Sequence, residues 1–144
     1  VELKVQSGVA AGTLVFGSVK WTDWSVIDTL DYTIAGVVPN RNEYFWKDGW
    51  TVSGGVGRQF SEMLSGQVSL TWDQGVSTTE DMLTDTWSFG AGVRMAGDRG
   101  AISLGGAVSY LTSGSQSVAD GAEFDATVGN DISYAVGGNF LVNF

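Results

Sequence analysis

The final stretch of the chain, Asp131-Ile132-Ser133-Tyr134-Ala135-Val136-Gly137-Gly138-Asn139-Phe140-Leu141-Val142-Asn143-Phe144, changes character at every position. Apart from Gly138, the even positions carry large apolar side chains, whereas the odd positions are mostly small or polar. Successive side chains of a β-strand point to opposite faces of a sheet. The pattern therefore predicts one strand that separates two different environments.

The same alternation recurs upstream and predicts about seven strands in all. The other six segments are residues 2–9, 13–24, 45–60, 66–73, 86–96 and 101–111. Residues 13–24 are ambiguous because apolar groups occur on both faces. We assign Val15, Val19 and Trp21 to the apolar face and Lys20 to the polar face.

The connections between these segments alternate in length. Short ones fall at 10–12, 61–65 and 97–100, and long polar ones at about 25–43, 74–85 and 112–130. Outer-membrane β-barrels have short periplasmic turns and long extracellular loops. The sequence thus predicts an antiparallel transmembrane β-barrel segment in the bacterial outer membrane, with the C-terminus on the periplasmic side.

An odd number of strands cannot close into an antiparallel barrel, because the first and last strands would run in the same direction. Closure needs another segment, another copy of the chain, or an eighth strand, for which Val26–Val38 is the best place. The polar face is also rich in Gly, Ser, Ala and Thr. Such a lining would leave voids in a narrow barrel, so it favours a wider one that holds a plug or a ligand path.

Aromatic residues support this orientation independently. The six tryptophans, Trp21, Trp24, Trp46, Trp50, Trp72 and Trp87, all lie on the long-loop side of their segments. Phe140 and Phe144 lie at the opposite edge. Indole rings prefer the interface between membrane and water, so we interpret these residues as membrane-interface aromatics. The alternative is that they fill the core of a soluble β-sandwich.

Composition argues against an enzyme. The 144 residues contain no Cys and no His, which removes His-based triads, thiolate chemistry and the commonest metal ligand. The net charge of −9 argues against nucleic acid. We expect no cofactor and no metal site. Glu80, Asp81 and Asp85 form the densest acidic cluster, which is either a solvated loop or a divalent-cation contact next to lipopolysaccharide. The same applies to Asp28 and Asp31.

Charged residues assigned to the inward, polar face are the candidates for a substrate passage. They are Lys4, Lys20, Lys47, Asp73 and Arg94. Two interpretations remain open. The charges form ion pairs with one another, or they help to position a fatty acid carboxylate.

Several segments resemble FadL-like proteins, the outer-membrane transporters of long-chain fatty acids. The resemblance rests on Trp21-Thr22-Asp23-Trp24-Ser25, on Glu43-Tyr44-Phe45-Trp46-Lys47-Asp48-Gly49-Trp50-Thr51-Val52, and on Asp98-Arg99 before Ala101-Ile102-Ser103-Leu104-Gly105. The terminal Phe144 is typical of outer-membrane barrels. The family's Ser-Pro element is absent at Trp72-Asp73-Gln74-Gly75-Val76.

The resemblance implies that residues 1–144 are a single barrel segment, the C-terminal half of a barrel with about 14 strands and an N-terminal hatch. It also implies passive transport of hydrophobic molecules such as long-chain fatty acids. The partners would be the bilayer with its lipopolysaccharide, the hydrophobic cargo, and the N-terminal half or another copy of the chain. The alternatives are a small structural or engineered barrel without transport activity and a nonspecific, porin-like diffusion pore.

Overall fold

β-Strands make up about two thirds of the chain in a computed structural model that describes residues 1–78, 82–120, 122 and 124–142. In chain order the strands are β1 (Glu2–Ala10), β2 (Thr13–Thr22), β3 (Thr29–Ile34), β4 (Val38–Glu43), β5 (Gly49–Gln59), β6 (Leu64–Asp73), β7 (Thr86–Gly97), β8 (Gly100–Leu111), β9 (Gly114–Gln116), β10 (Ala126–Val128) and β11 (Asp131–Val142). One 3-10 turn, at Val118–Asp120, lies between β9 and β10.

Seven strands form one antiparallel sheet in the order β1-β2-β5-β6-β7-β8-β11. Tight turns at Ala11-Gly12 and Asp98-Arg99 join neighbouring strands at one end, and Gly12 takes the positive φ of +66° that its turn requires. The all-β antiparallel fold and the seven strands are thus confirmed. The sheet does not close, because among the described residues β1 pairs only with β2, and β11 only with β8.

Two boundary predictions are wrong. The strand predicted at 45–60 begins only at Gly49. Phe45 has a φ of +43°, which an extended strand cannot contain, so Trp46 and Lys47 lie in the connection before β5. The second strand ends at Thr22, which leaves Trp24 in the following loop.

The first and the last of the three long connections contain hairpins of their own. The region 26–38, suspected of hiding one strand, holds β3 and the start of β4, which pair with each other in a separate two-stranded sheet. β9 and β10 form a similar pair in the last long connection. Because each connection gains two strands that return to the same end, the sidedness of the main sheet is unchanged.

Cross-strand register sorts the side chains onto two contrasting faces. A row of partnered residues that we call the outer row crosses all seven strands: Leu3, Val19, Val52, Trp72, Trp87, Tyr110 and Ile132. The residues one position further along each strand point to the opposite face, which we call the inner face. The assignment of Val15, Val19 and Trp21 to the apolar face is confirmed, because they are paired with Val56, Val52 and Trp50.

The apolar face is the more exposed one. Phe89 is 53% exposed and Leu104 58%, whereas Ser88 and Gly105, which face the other way, are half-buried. Among the described residues the buried apolar side chains are only Val76, Ala101 and Ala122, and no large side chain is fully buried. A soluble sandwich would turn its apolar faces toward each other, so this sheet has the opposite arrangement.

Candidate functional site: the inner face of the sheet

A row of hydroxyl groups crosses the inner face one residue away from the outer row. This hydroxyl row consists of Lys4, Ser18, Ser53, Thr71, Ser88, Ser109 and Ser133. Its hydroxyls pair across strands, with Oγ–Oγ distances of 2.8 Å for Ser18 and Ser53 and 2.7 Å for Ser88 and Ser109. Such pairs stabilise a sheet, and the row gives the inner face a polar surface.

A second row on the inner face carries mostly glycine. This glycine row consists of Gly8, Leu14, Gly57, Gln67, Gly92, Gly105 and Gly137. It forms much of the wall of a cavity of about 980 Å³, with Arg94 and Asn139 at the turn end. Because glycine has no side chain, the row leaves open space where larger residues would fill the interior.

Phe16 is an aromatic exception in this mostly small lining, which also includes Leu14. Its ring lies over Gly55, where an added Cβ would meet the Phe16 ring and the carbonyl oxygen of Val68. The missing side chain at Gly55 therefore creates the space that the ring occupies. This places an aromatic surface on a mostly small and polar wall.

Four of the five predicted passage charges lie in strands whose register puts them on the inner face: Lys4, Lys20, Asp73 and Arg94. Lys47 does not, because it precedes β5. The structure does not bring the four together. Asp73 pairs with Thr86, and Arg94 is eight residues further along β7, roughly 26 Å at 3.3 Å per residue. They cannot hold one carboxylate jointly.

Two of these charges have local partners. Lys4 Nζ lies 3.2 Å from a carboxylate oxygen of Glu2, two residues away on the same face. The Thr51 hydroxyl donates a 2.8 Å hydrogen bond to Asp73. The sequence reasoning missed Glu2, although its spacing of two from Lys4 on a strand was the available signal.

The tryptophans meet in pairs at the loop end. Trp21 and Trp50 are cross-strand partners, and the rings of Trp72 and Trp87 lie 6.2 Å apart. Trp24 and Trp46 lie above the sheet, where their rings meet edge to face at 5.6 Å. The first four thus belong to the outer face, and the last two hold the first long connection together.

Phe140 lies on the outer face at the turn end, paired with Ile102 and 72% exposed. Phe144, the other predicted aromatic of that edge, is outside the described residues.

Asp85 links the second long connection to the sheet. Its carboxylate accepts hydrogen bonds from the Trp72 indole at 3.1 Å and from the Gly75 amide at 2.8 Å. The other two members of the predicted acidic cluster, Glu80 and Asp81, lie outside the described residues. Within the described part of the chain, no group of three or more potential ligands is placed to hold a metal ion.

The β3–β4 hairpin carries an exposed ion pair. Arg41 donates from Nε to Asp31 at 2.6 Å and from its Nη2 at 3.2 Å. The hydrogen bond from Arg41 lowers the pKa of Asp31, and the same contact raises the pKa of Arg41. One of the acidic residues assigned to a solvated loop is thus paired.

Taken together, an open antiparallel sheet with an exposed apolar outer face and a small, polar inner face is a segment of a transmembrane β-barrel wall. In the part of the chain that the structure describes, no helix is long and apolar enough to cross a membrane.

Comparison of the fold agrees with this class. The chain is similar to the crystal structure of a Pseudomonas aeruginosa FadL homologue, with a TM-score of 0.68 and 14% sequence identity. The match covers 97% of this chain and 33% of that chain, so the present sequence spans about a third of its length. The sequence matches no protein-family model, and no curated protein matches it either.

Proposed function

We propose that this chain is part of an outer-membrane protein, not an enzyme, that carries hydrophobic molecules passively across the outer membrane. The observation that supports this most is the apolar face, which crosses all seven strands of the sheet and is largely exposed, with Trp21 and Trp72 half-buried. Apolar side chains in this position gain stability from hydrocarbon, and no second layer covers them among the described residues. The likeness in fold to a FadL homologue supports the same class.

The inner face fits a passage. Its cavity of about 980 Å³ is of the size that accepts small organic molecules, and small residues keep it open. Phe16 offers an apolar contact beside it. We expect Lys4 and Asp73 to serve mainly the local contacts described above.

The two open edges indicate what completes the wall. Strand directions alternate along the sheet, so β1 and β11 run in the same direction. A second copy in the same membrane orientation would place β11 beside β1 and create two parallel seams. An odd number of additional strands gives an antiparallel seam at each edge. We therefore propose that another segment, such as an N-terminal half, closes the barrel rather than another copy.

Uptake in cells tests this function. Cells that express the full-length protein containing this segment should take up a radiolabelled long-chain hydrophobic compound faster than cells with an empty vector. Cells that express residues 1–144 alone should not, because the wall is open. If neither the full-length protein nor residues 1–144 raises uptake above that of the empty vector, the transport function is rejected. Swelling of liposomes in small sugars should be absent, and rapid swelling would instead favour the nonspecific pore.

A further inference from the structure

Charge is distributed very unevenly between the two ends of the sheet. The loop half of the sequence comprises residues 1–4, 18–53, 71–88 and 109–133, and the turn half comprises the rest. In the sequence, the loop half contains fourteen acidic and four basic residues, a net charge of −10, and the turn half contains two acidic and three basic residues, a net charge of +1. The two values add up to the −9 of the whole chain. Three of the fourteen acidic residues, Glu80, Asp81 and Glu123, lie outside the described residues.

The net charge of −10 already includes the four basic residues of the loop half, and two of them lie in ion pairs that neutralise one acidic residue each. Lys4 is paired with Glu2, and Arg41 is paired with Asp31. The uppermost inner-face row crosses the sheet at the rim, and its ionisable members are Glu2, Lys20, Asp73 and Asp131. Three of these four are acidic, but Glu2 is neutralised by Lys4 of the next row, so these two rows together place a net charge of −1 on the inner wall.

Below the rim, the wall becomes neutral. The hydroxyl row contributes one cation, Lys4, which is already paired, and the glycine row carries no charge. The next charge on the inner face is Arg94 at the turn end. A molecule that passes along this face from the loop end therefore meets negative charge first and positive charge last.

A field of this sign discriminates among hydrophobic molecules by their head groups. A cleft mouth of one sign changes the local concentration and on-rate of charged ligands by about tenfold or more at low ionic strength. Salt screens the effect, because the Debye length falls from about 30 Å at 0.01 M to about 8 Å at 0.15 M. A fatty acid is ionised at neutral pH, since carboxyl groups titrate near pH 4. A fatty alcohol of equal length is unaffected.

We propose that the cargo of this protein is an uncharged hydrophobic molecule, and that the acidic loop half disfavours carboxylates such as long-chain fatty acids. This inference rests on the proposed transport function and narrows its substrate class.

The test compares two cargoes that differ only in the head group. Cells expressing the full-length protein receive radiolabelled dodecanol or dodecanoate, and the initial uptake rate of empty-vector cells is subtracted. At low ionic strength, with osmolarity held by sucrose, we expect dodecanol uptake to exceed dodecanoate uptake about tenfold. At 0.3 M salt the ratio should fall to about twofold.

Two sets of variants distinguish the electrostatic effect of the acidic residues from other roles of the loops. Asp23→Asn, Asp28→Asn and Asp48→Asn together should raise dodecanoate uptake about threefold at low salt and leave dodecanol uptake unchanged. The matched control is Glu62→Gln with Asp98→Asn in the turn half, which should change neither. Equal changes for both cargoes would mean that the acidic residues serve contacts with lipopolysaccharide, and would overturn the inference.

The two proposals fail in different ways. Protein-dependent uptake of dodecanoate that equals or exceeds that of dodecanol, at every salt concentration, would overturn the substrate class while supporting transport. Uptake of neither compound above the empty vector would reject transport and this inference with it.

Discussion

The outer row and the hydroxyl row lie one residue apart on the same seven strands, yet they share no chemistry. One consists of large apolar and aromatic side chains, and the other of six hydroxyls and a lysine. In a soluble protein the apolar row would be the buried one, but here it is the more exposed. The difference is the one expected of a sheet that forms the boundary between hydrocarbon and a polar interior.

The largest expected effect on stability comes from comparing a charge placed on the outer face with a charge placed on the inner face. Val68→Arg puts a guanidinium on the outer face near the middle of β6 and should destabilise the protein by about 2–4 kcal/mol. Gln67→Arg, on the neighbouring inner position, should cost less than about 1 kcal/mol. Urea unfolding from lipid vesicles measures both. Equal losses would show that the two faces do not differ in solvent.

Two neighbouring glycines, one on each face, test how tightly the inner and outer faces are packed. Gly55→Ala on the inner face should destabilise by about 1–3 kcal/mol, because the new Cβ meets the Phe16 ring and the Val68 carbonyl. Gly54→Ala on the outer face is the control, since the nearest atom to its Cβ is 3.9 Å away. It should be neutral or slightly stabilising. A reversed order would place Phe16 away from Gly55.

Removing one of the paired hydroxyls of the hydroxyl row should have a smaller effect on stability. Replacing either Ser88 or Ser109 with alanine should cost about 0.5–1.5 kcal/mol, and a double-mutant cycle should show coupling between them. Ser103→Ala in the same strand as Ser109 serves as control, because its hydroxyl makes no such pair among the described residues. Strict additivity of the two serine substitutions would argue against the hydrogen bond.

The smallest effect lies outside the barrel wall, in the β3–β4 hairpin. Arg41 lowers the pKa of Asp31, so this contact contributes stability above the unfolded pKa of the carboxyl and loses it as the pH falls through the folded pKa. NMR titration should find the Asp31 pKa below the usual aspartate value. Arg41→Gln should return it to that value. An unchanged pKa in the variant would mean that the ion pair does not form in solution.

Much of the fold could be predicted from the sequence because the two-residue period is imposed directly by alternating solvents. The seven strands, the short and long connections and the face of Lys20 all follow from it. The start of β5 could not be predicted, because the apolar alternation continues through Phe45 and Trp46 although Phe45 has left the extended region. The β3–β4 hairpin was anticipated only as one possible strand at 26–38, because the alternating Leu30 and Tyr32 of β3 are paired with the polar Asn42 and Asn40 of β4.

The inner face was less predictable than the outer one. Its residue types were evident, but their arrangement in rows depends on register, which only pairing across strands fixes. For the same reason the four inner-face charges, assigned together from the sequence, are spread along the wall. Lys4 finds its partner in Glu2 of its own strand rather than in the other predicted charges.

The most direct test of the lipid-facing assignment uses single cysteines at successive positions from 66 to 72 of β6, since residues 1–144 contain no cysteine and any cysteine elsewhere in the protein can be replaced by serine. Each is labelled with a fluorophore in the full-length protein, reconstituted in vesicles and exposed to brominated lipid or to aqueous iodide. Quenching by brominated lipid should be strong at 66, 68, 70 and 72 and weak at 67, 69 and 71. Quenching by iodide should show the opposite pattern. Quenching by lipid that does not alternate, or that peaks at the odd positions, would contradict the membrane-spanning sheet.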